Sequence, residues 1–305
     1  MFALIVGQLT VMFIIMIIGF VSYKTKLLNQ TANKAFSTFL LVVVNPALIL
    51  YVYQTDFEME MAILLLYAFV VAVVSHIIGI FVSTFLVRKK NNPEYGVERL
   101  SVVYSNCAFM GIPLINAAIG PEGVFFLTAY MTVFNLLLWT HGVGLLKGGF
   151  SMKYLKEGLL SPVFIATIIA ILLYVTGIRL PGLVVDSLGM VAITITPLAM
   201  MIAGMSLAQA NLKYIFTKSC VYKVAFLRLL LIPFLTLGLL AVLDLDTHVT
   251  YTILIAAACP TATAGVLMAL RYEKNHIHAS ELFASGTVLG VITIPFVVFI
   301  ADLIF

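Results

Sequence analysis

Two short segments of the sequence place proline, glycine and small polar side chains inside long apolar stretches. They read Ser105-Asn106-Cys107-Ala108-Phe109-Met110-Gly111-Ile112-Pro113 and Cys259-Pro260-Thr261-Ala262-Thr263-Ala264-Gly265. Amide and hydroxyl groups donate hydrogen bonds without the cost of burying a charge. We therefore expect Asn106, Thr261 and Thr263 to bind an anion, with Cys107 and Gly111 beside them in the same site.

The prolines of these segments predict breaks in two helices. Proline removes a backbone hydrogen bond, so we expect the helices to break at Pro113 and Pro260. The half-helix after each break begins with free N–H groups and the positive end of its dipole. Because the two helices are predicted to run in opposite directions, both positive ends face one central space, which favours a carboxylate.

The elements that hold these segments are predicted to be membrane helices. Of the 305 residues, 63% are hydrophobic and 10% are charged, and the mean hydropathy is +1.15. Soluble domains are about 45–50% apolar and about 25% charged. The composition therefore excludes a soluble enzyme, a nucleic-acid binder and a disordered protein. The three cysteines lie in apolar settings, which indicates neither a disulfide framework nor a zinc site, and we expect no metal and no cofactor.

Ten stretches are long and apolar enough to cross a bilayer, which takes about 20 residues per helix. Basic residues cluster in alternate loops, and the positive-inside rule then places both termini outside the cell. The sequence thus predicts an all-α integral membrane protein with ten transmembrane helices. The stretches are 1–23, 35–55, 61–87, 100–121, 123–146, 158–178, 187–212, 219–243, 247–270 and 282–301.

The chain divides into two halves of five spans, 1–147 and 158–305, joined by a cytoplasmic linker at 148–157. An odd number of spans makes the halves enter the membrane from opposite sides, so the repeats are inverted. Inverted repeats are typical of secondary transporters, whose substrate site lies between the halves. Matching positions support the duplication: Asn45-Pro46 with Thr196-Pro197, and Pro113 with Pro260.

Some isolated residues leave alternatives open. Arg228 lies inside the eighth span. In one interpretation it has a structural role, in which it caps a carbonyl or extends to the membrane interface. In the other it binds an internal partner or the substrate anion. His276 and His278 could suggest a metal, but no further ligand is near them in the sequence. Further possible site residues are Asn45, Pro46, Pro197 and Ser105.

Three function classes compete. An intramembrane enzyme needs a buried acid, a Ser/His pair or metal ligands, and no Asp or Glu lies within an uninterrupted apolar stretch, so we expect no catalytic residue. A passive anion channel would show linear flux, whereas a transporter would show saturable exchange. The transporter is favoured, as a uniporter acting in efflux. The alternative is a symporter coupled to protons or to sodium, which freed backbone carbonyls could bind.

The motif Asn106-x-x-x-Met110-Gly111-Ile112-Pro113-Leu114 resembles one in the auxin efflux carrier family. This family includes the plant PIN-formed carriers and bacterial permeases proposed for malate and malonate. Further similarities are Leu198-Ala199-Met200 with Gly204, Arg228 five residues before Pro233, Pro260 followed by Arg271–Asn275, and Asn135 with Trp139.

The resemblance implies two crossed, proline-broken helices, in spans four and nine, around a small organic anion. It adds the crossovers at Pro113 and Pro260, and Asn135, to the substrate-binding residues. It also implies a transport domain of spans three to five and eight to ten, which moves as an elevator against a scaffold of spans one, two, six and seven. The scaffold would form a homodimer in the plasma membrane. Ser105 stands where the plant carriers have proline, which disfavours auxin itself as the natural substrate. The candidate substrates are small carboxylates such as malate, malonate or auxin-like acids.

Overall fold

The computed structural model describes residues 1–149, 152–210 and 218–305. Within these ranges the chain forms thirteen helices and no β-strand. The helices are α1 (Phe2–Lys24), α2 (Gln30–Val52), α3 (Met59–Leu86), α4 (Tyr95–Val103), α5 (Cys107–Ala118), α6 (Pro121–Lys147), α7 (Met152–Leu159), α8 (Pro162–Thr176), α9 (Gly182–Gln209), α10 (Ser219–Leu243), α11 (Thr247–Ala258), α12 (Thr263–Arg271) and α13 (His276–Ile304).

Among the described residues, seven helices are long and apolar enough to cross a membrane: α1, α2, α3, α6, α9, α10 and α13. The helices α7 and α8 meet at a bend of 55° and together make an eighth candidate. The predicted fourth and ninth spans are not single helices, because a break separates α4 from α5 and α11 from α12. The all-helical, multi-span architecture is confirmed, and the number ten remains a prediction.

In the predicted linker at 148–157, Gly148 and Gly149 form a turn after α6, and residues 152–157 belong to α7; residues 150 and 151 lie outside the described residues. Ser161 is the N-cap of the next helix, α8, because its hydroxyl accepts a hydrogen bond from the N–H of Phe164. Pro162 follows at the first position of α8, where a missing N–H costs nothing. The second helix of this bent pair, α8, therefore begins at Pro162.

Among the described residues, wide π-helical turns lie within α2, α6 and α10 and form the beginning of α5, and three of these four turns end two residues before a proline. A proline ring crowds the preceding turn, and a wider turn lets the helix continue past it. Pro113 consequently lies inside the continuous helix α5. The expectation that Pro113 breaks the fourth span is wrong. The turns before prolines are Leu40–Val44 before Pro46, Cys107–Gly111 before Pro113 and Leu227–Leu231 before Pro233.

The first and second halves of the chain meet closely where α1 crosses α9. A Cβ added at Gly204 would clash with the carbonyl oxygen of Met16, and one added at Gly19 would clash with that of Met201. Small residues let membrane helices approach until their backbones touch. The two glycines therefore hold α1 and α9 together, and both helices belong to the predicted scaffold.

Candidate functional site

The breaks in the fourth and ninth predicted spans lie side by side. Between α4 and α5 the chain is extended at residues 104–106, and between α11 and α12 at residues 259–262. The two extended segments pair in antiparallel fashion, with a bridge between Ser105 and Thr261. The N–H of Asn106 donates to the carbonyl of Pro260 at 2.7 Å, and the N–H of Ala262 donates to that of Tyr104 at 2.9 Å. Backbone groups that the break leaves without a helical partner in one segment are thus hydrogen-bonded by the other segment.

Local sequence explains the second break directly. Pro260 cannot donate within a helix, and it pushes the preceding residue out of helical geometry. Cys259 accordingly takes φ −58° and ψ 146°. The first break has no proline, and Asn106 leaves the helical region at φ −79° and ψ 45°. Tertiary pairing with the 259–262 segment therefore accounts for the first break.

Arg228 binds the carbonyl ends of both broken helices. Its side chain is buried, and it donates to the carbonyls of Val102 at 3.1 Å and Val103 at 3.0 Å, at the end of α4. It also donates to the carbonyls of Ala257 and Cys259, at the end of α11. A cation at a helix C-terminus is favourable, because the unsatisfied carbonyls carry partial negative charge. Arg228 therefore stabilises the breaks.

The opposite ends of the breaks face a cavity of about 250 Å³. The first turn of α5 contributes Ala108 and Phe109 to its wall, and the first turn of α12 contributes Thr263 and Ala264. Neither N-terminus has a side-chain cap. Each uncapped N-terminus is equivalent to roughly half a positive charge. Two such ends around one cavity form a site with positive potential.

Several buried polar atoms at the cavity have no hydrogen-bond partner. They are the Nδ2 and Oδ1 of Asn45, the Oγ of Ser105, the Nδ2 of Asn106 and the Oγ1 of Thr263. These residues are at most 5% exposed, so bulk water is not their partner. A buried, unsatisfied donor costs about 1–3 kcal/mol. A ligand with several hydrogen-bond acceptors would remove that cost.

The cavity continues along one face of α12 to a cationic end. Thr263, Leu267 and Arg271 are four residues apart and all line it, over a length of about 12 Å. The guanidinium of Arg271 lies over the ring of Trp139, 5.1 Å from the ring centroid. It also pairs with Glu157 of α7 at 2.9 Å. Among the described residues that line the cavity, none is an aspartate or glutamate.

The structure brings together Asn45, Ser105, Asn106, Asn135 and Thr263 of the predicted site residues. The hydroxyl of Thr261 points elsewhere and donates to the carbonyl of Ser101 at 3.0 Å. The remaining predicted residues do not line the cavity. Cys107, Pro260 and Arg228 lie at the helix breaks, whereas Gly111 and Pro113 lie within α5, Pro46 within α2 and Pro197 within α9.

Arg271 is the charged lining residue that is absent from the predicted site. In the sequence it stands directly after the ninth predicted span, in the Arg271–Asn275 segment that follows Pro260. The spacing of Thr263, Leu267 and Arg271 on one helical face was the available signal. Trp139 was noticed beside Asn135, and both line the cavity.

A family model described as membrane transport protein matches the sequence twice, over residues 4–154 and 149–298. The two matches together cover nearly the whole chain. No curated protein matches the sequence significantly. The double match confirms two repeats and a membrane transporter rather than a soluble protein, and it confirms the resemblance based on the Asn106 motif. The chain belongs to the membrane transport protein family, that of the auxin efflux carriers.

Proposed function

We propose that this protein is a secondary transporter of small organic anions and that the cavity is its substrate site. The observation that carries the proposal is the convergence of two uncapped helix N-termini, those of α5 and α12, on one space. Asn45, Asn106 and Thr263 add buried polar atoms that have no partner in the protein. A carboxylate has two oxygens that accept several hydrogen bonds, and it is favoured at helix N-termini.

The charge of the lining favours an anion over a cation. A cationic substrate would need a buried acid or a cage of carbonyls, and the described lining residues include no acid. The carbonyls at the breaks are also engaged, by Arg228 and by the paired segments. Arg271, at the far end of the cavity, adds a full positive charge.

The walls favour a substrate with a small apolar body. Phe109, Phe134, Trp139 and Leu267 also line the cavity. Carboxylates such as malate, malonate and auxin-like acids combine an anionic head with a short carbon skeleton. These acids are the proposed substrate class.

The position of the cavity supports an elevator mechanism. Its lining comes from α2 and α8, which belong to the proposed scaffold, and from α5, α6 and α12, which belong to the proposed transport domain. In this mechanism the transport domain slides against the scaffold and carries the anion across. Ten spans in two inverted repeats, supported by the double family match, would supply the required symmetry.

The proposed location, orientation and oligomeric state are inferred from the charges of the loops and from the family. The protein would lie in the plasma membrane with both termini outside, and it would form a homodimer through its scaffold. Because the carbonyls at the breaks already accept hydrogen bonds, uniport in the efflux direction is favoured over coupling to sodium there. Sodium- or proton-coupled symport is the alternative, and a passive anion channel is a weaker one.

Binding and flux with a panel of acids test the proposal. Malate, malonate, lactate and indole-3-acetate are added to the purified protein, and the melting temperature is measured. A ligand that binds only the folded protein raises its stability by about RT ln(1 + [L]/Kd). We expect at least one acid to stabilise the protein and to show saturable exchange in proteoliposomes. Linear flux without exchange would indicate a channel.

A pair of threonine variants gives a matched control. Thr263→Asp places a carboxylate in the cavity at the first position of α12 and should abolish binding by repulsion. Thr247→Asp places the same group at the first position of α11, where the side chain is exposed, and should leave binding unchanged. Equal effects of the two variants would place the substrate elsewhere.

A further inference from the structure

A second polar cluster lies apart from the cavity, where the beginnings of three helices meet. Glu98 lies on α4, Cys220 is the second residue of α10, and His278 is in the first turn of α13. One ligand atom from each residue, a carboxylate oxygen, a sulfur and an imidazole nitrogen, lies within 4.8 Å of the other two. None of the three residues lines the cavity of the proposed substrate site.

The imidazole of His278 is held with one nitrogen directed at this cluster. Its Nδ1 lies 3.3 Å from the Oε2 of Glu281, which can only accept a hydrogen bond when it is ionised. In the neutral imidazole the Nε2 then has the free lone pair. This Nε2 is buried without a hydrogen-bond partner, in a residue that is 5% exposed. A carboxylate behind a histidine is the usual support of a metal-binding imidazole.

Glu98 is supported in the same way. Its Oε2 accepts a hydrogen bond from the Nδ2 of Asn92 at 2.8 Å. Its other oxygen, Oε1, lies 3.5 Å from the Nε2 of His278, where it pairs with the imidazole when the ring is protonated and where a bound cation would take the place of that proton. Ligand atoms around a tetrahedral zinc ion lie about 3.3–3.8 Å apart, given bonds of about 2.0–2.3 Å. The Glu98–His278 distance already matches, and the sulfur of Cys220 lies within 4.8 Å of a ligand atom of each.

We propose that Glu98, Cys220 and His278 bind one zinc-like divalent cation. Thiolate and imidazole ligands select zinc, cobalt or copper, whereas magnesium and calcium prefer oxygen ligands. On binding, Cys220 releases its proton to water and coordinates as the thiolate. The thiolate and the Glu98 carboxylate then balance the two positive charges of the ion. Water takes the fourth position, from an open pocket that Lys218 and Lys223 also border.

The ion would join three helices of the proposed transport domain. Glu98 lies on the helix that ends at the first break, and Cys220 lies on the helix that provides Arg228. Lys218 binds Glu281 at 2.8 Å, so the supporting carboxylate is itself held in place. The ion therefore fixes the beginnings of α4, α10 and α13 relative to one another. The site is independent of the proposed anion, and its test needs no transport measurement.

Cobalt titration of the purified full-length protein tests the site. Cobalt(II) bound by a thiolate gives a charge-transfer absorption in the near ultraviolet. After treatment with a chelator, the protein should bind one equivalent of cobalt with this absorption. Zinc should displace the cobalt, and magnesium or calcium should not. A wild-type protein that binds no cobalt, or that binds it without the thiolate absorption, overturns the proposal.

Variants identify the ligands. Cys220→Ser should remove the absorption, although Cys107 and Cys259 remain. His278→Ala should lower the affinity by more than about 100-fold, and Glu281→Gln by about 10–100-fold, since Glu281 only orients the imidazole. The matched control is His276→Ala, on the same helix two residues earlier, which should bind like the wild type. A Cys220→Ser protein of normal melting temperature that keeps the absorption would show that the sulfur ligand lies elsewhere, and the proposal would be wrong.

Discussion

The N–H of Asn106 donates a 2.7 Å hydrogen bond to the carbonyl of Pro260, which joins the breaks of two helices from opposite halves of the chain. Around this contact the four helix ends are arranged according to the sign of their partial charge. The negative ends of α4 and α11 meet at Arg228, and the positive ends of α5 and α12 meet at the cavity. An anion site is therefore built from the backbone and from neutral side chains.

Replacement of Asn106 by alanine should slow transport at least about tenfold, because a hydrogen bond to a charged group contributes about 1.5–3 kcal/mol. The melting temperature should change little, since the Nδ2 of Asn106 has no partner in the protein. Uptake into proteoliposomes measures the effect. Asn116→Ala is the control, since this exposed residue lies on the same helix. Wild-type uptake by the Asn106→Ala protein would contradict the assignment.

Replacement of Arg228 by methionine should destabilise the fold. It leaves four buried carbonyls without a donor, at about 1–3 kcal/mol for each one that stays unsatisfied. Arg228→Lys should recover only part of the loss, because an ammonium cannot match the planar fork of a guanidinium. Thermal unfolding in detergent measures both variants. Lys223→Met, at an exposed position of α10, should unfold like the wild type. An unchanged melting temperature for Arg228→Met would refute the capping role.

Replacement of Arg271 by glutamine should raise KM about two- to fivefold with little change in kcat, because a half-exposed charge contributes at most about 1 kcal/mol. The wild-type KM should also increase with ionic strength, and the variant should lose most of this dependence. Arg179→Gln is the matched control, since Arg179 also pairs with an acid, Asp56, but lies outside the cavity. If the KM values of both variants depended equally on ionic strength, Arg271 would not be the residue that attracts the anion.

The proposed orientation predicts which loops a membrane-impermeant thiol reagent reaches. A cysteine at Glu58 should react from outside intact cells, and one at Lys153 should not. Cys220→Ser is a suitable background, because Cys107 and Cys259 are buried. Labelling of both positions to the same extent would reject the inverted arrangement with both termini outside.

The polar cavity residues could be predicted from the sequence because their types are rare in apolar stretches. Asn45, Asn106 and Thr263 stand out for that reason and line the cavity, and Asn135, which the family resemblance adds, lines it too. The place of the first break could not be predicted. Proline is the local signal for a break, but a π-helical turn accommodates Pro113, and the chain opens instead at 104–106, where it pairs with a distant segment.

Contacts between residues that are far apart in the chain could not be predicted from sequence patterns either. Arg228 could be recognised as a buried cation, but its partners lie on α4 and α11, far away in the chain. The same holds for His278, whose neighbours Glu98 and Cys220 come from two other helices. Such contacts depend on how the helices pack together.

The most direct test of the central claim is a current measurement. If helix dipoles and neutral donors bind the anion without an acid, the carboxylate crosses the membrane as net negative charge. In a cell with a negative interior, the membrane potential favours the exit of each negative charge by about 2.3 kcal/mol per 100 mV. Proteoliposomes on a capacitive sensor receive a carboxylate concentration jump with no sodium and no pH gradient. The account predicts a transient current under these conditions. A current that appears only when sodium or a pH gradient is supplied would contradict it.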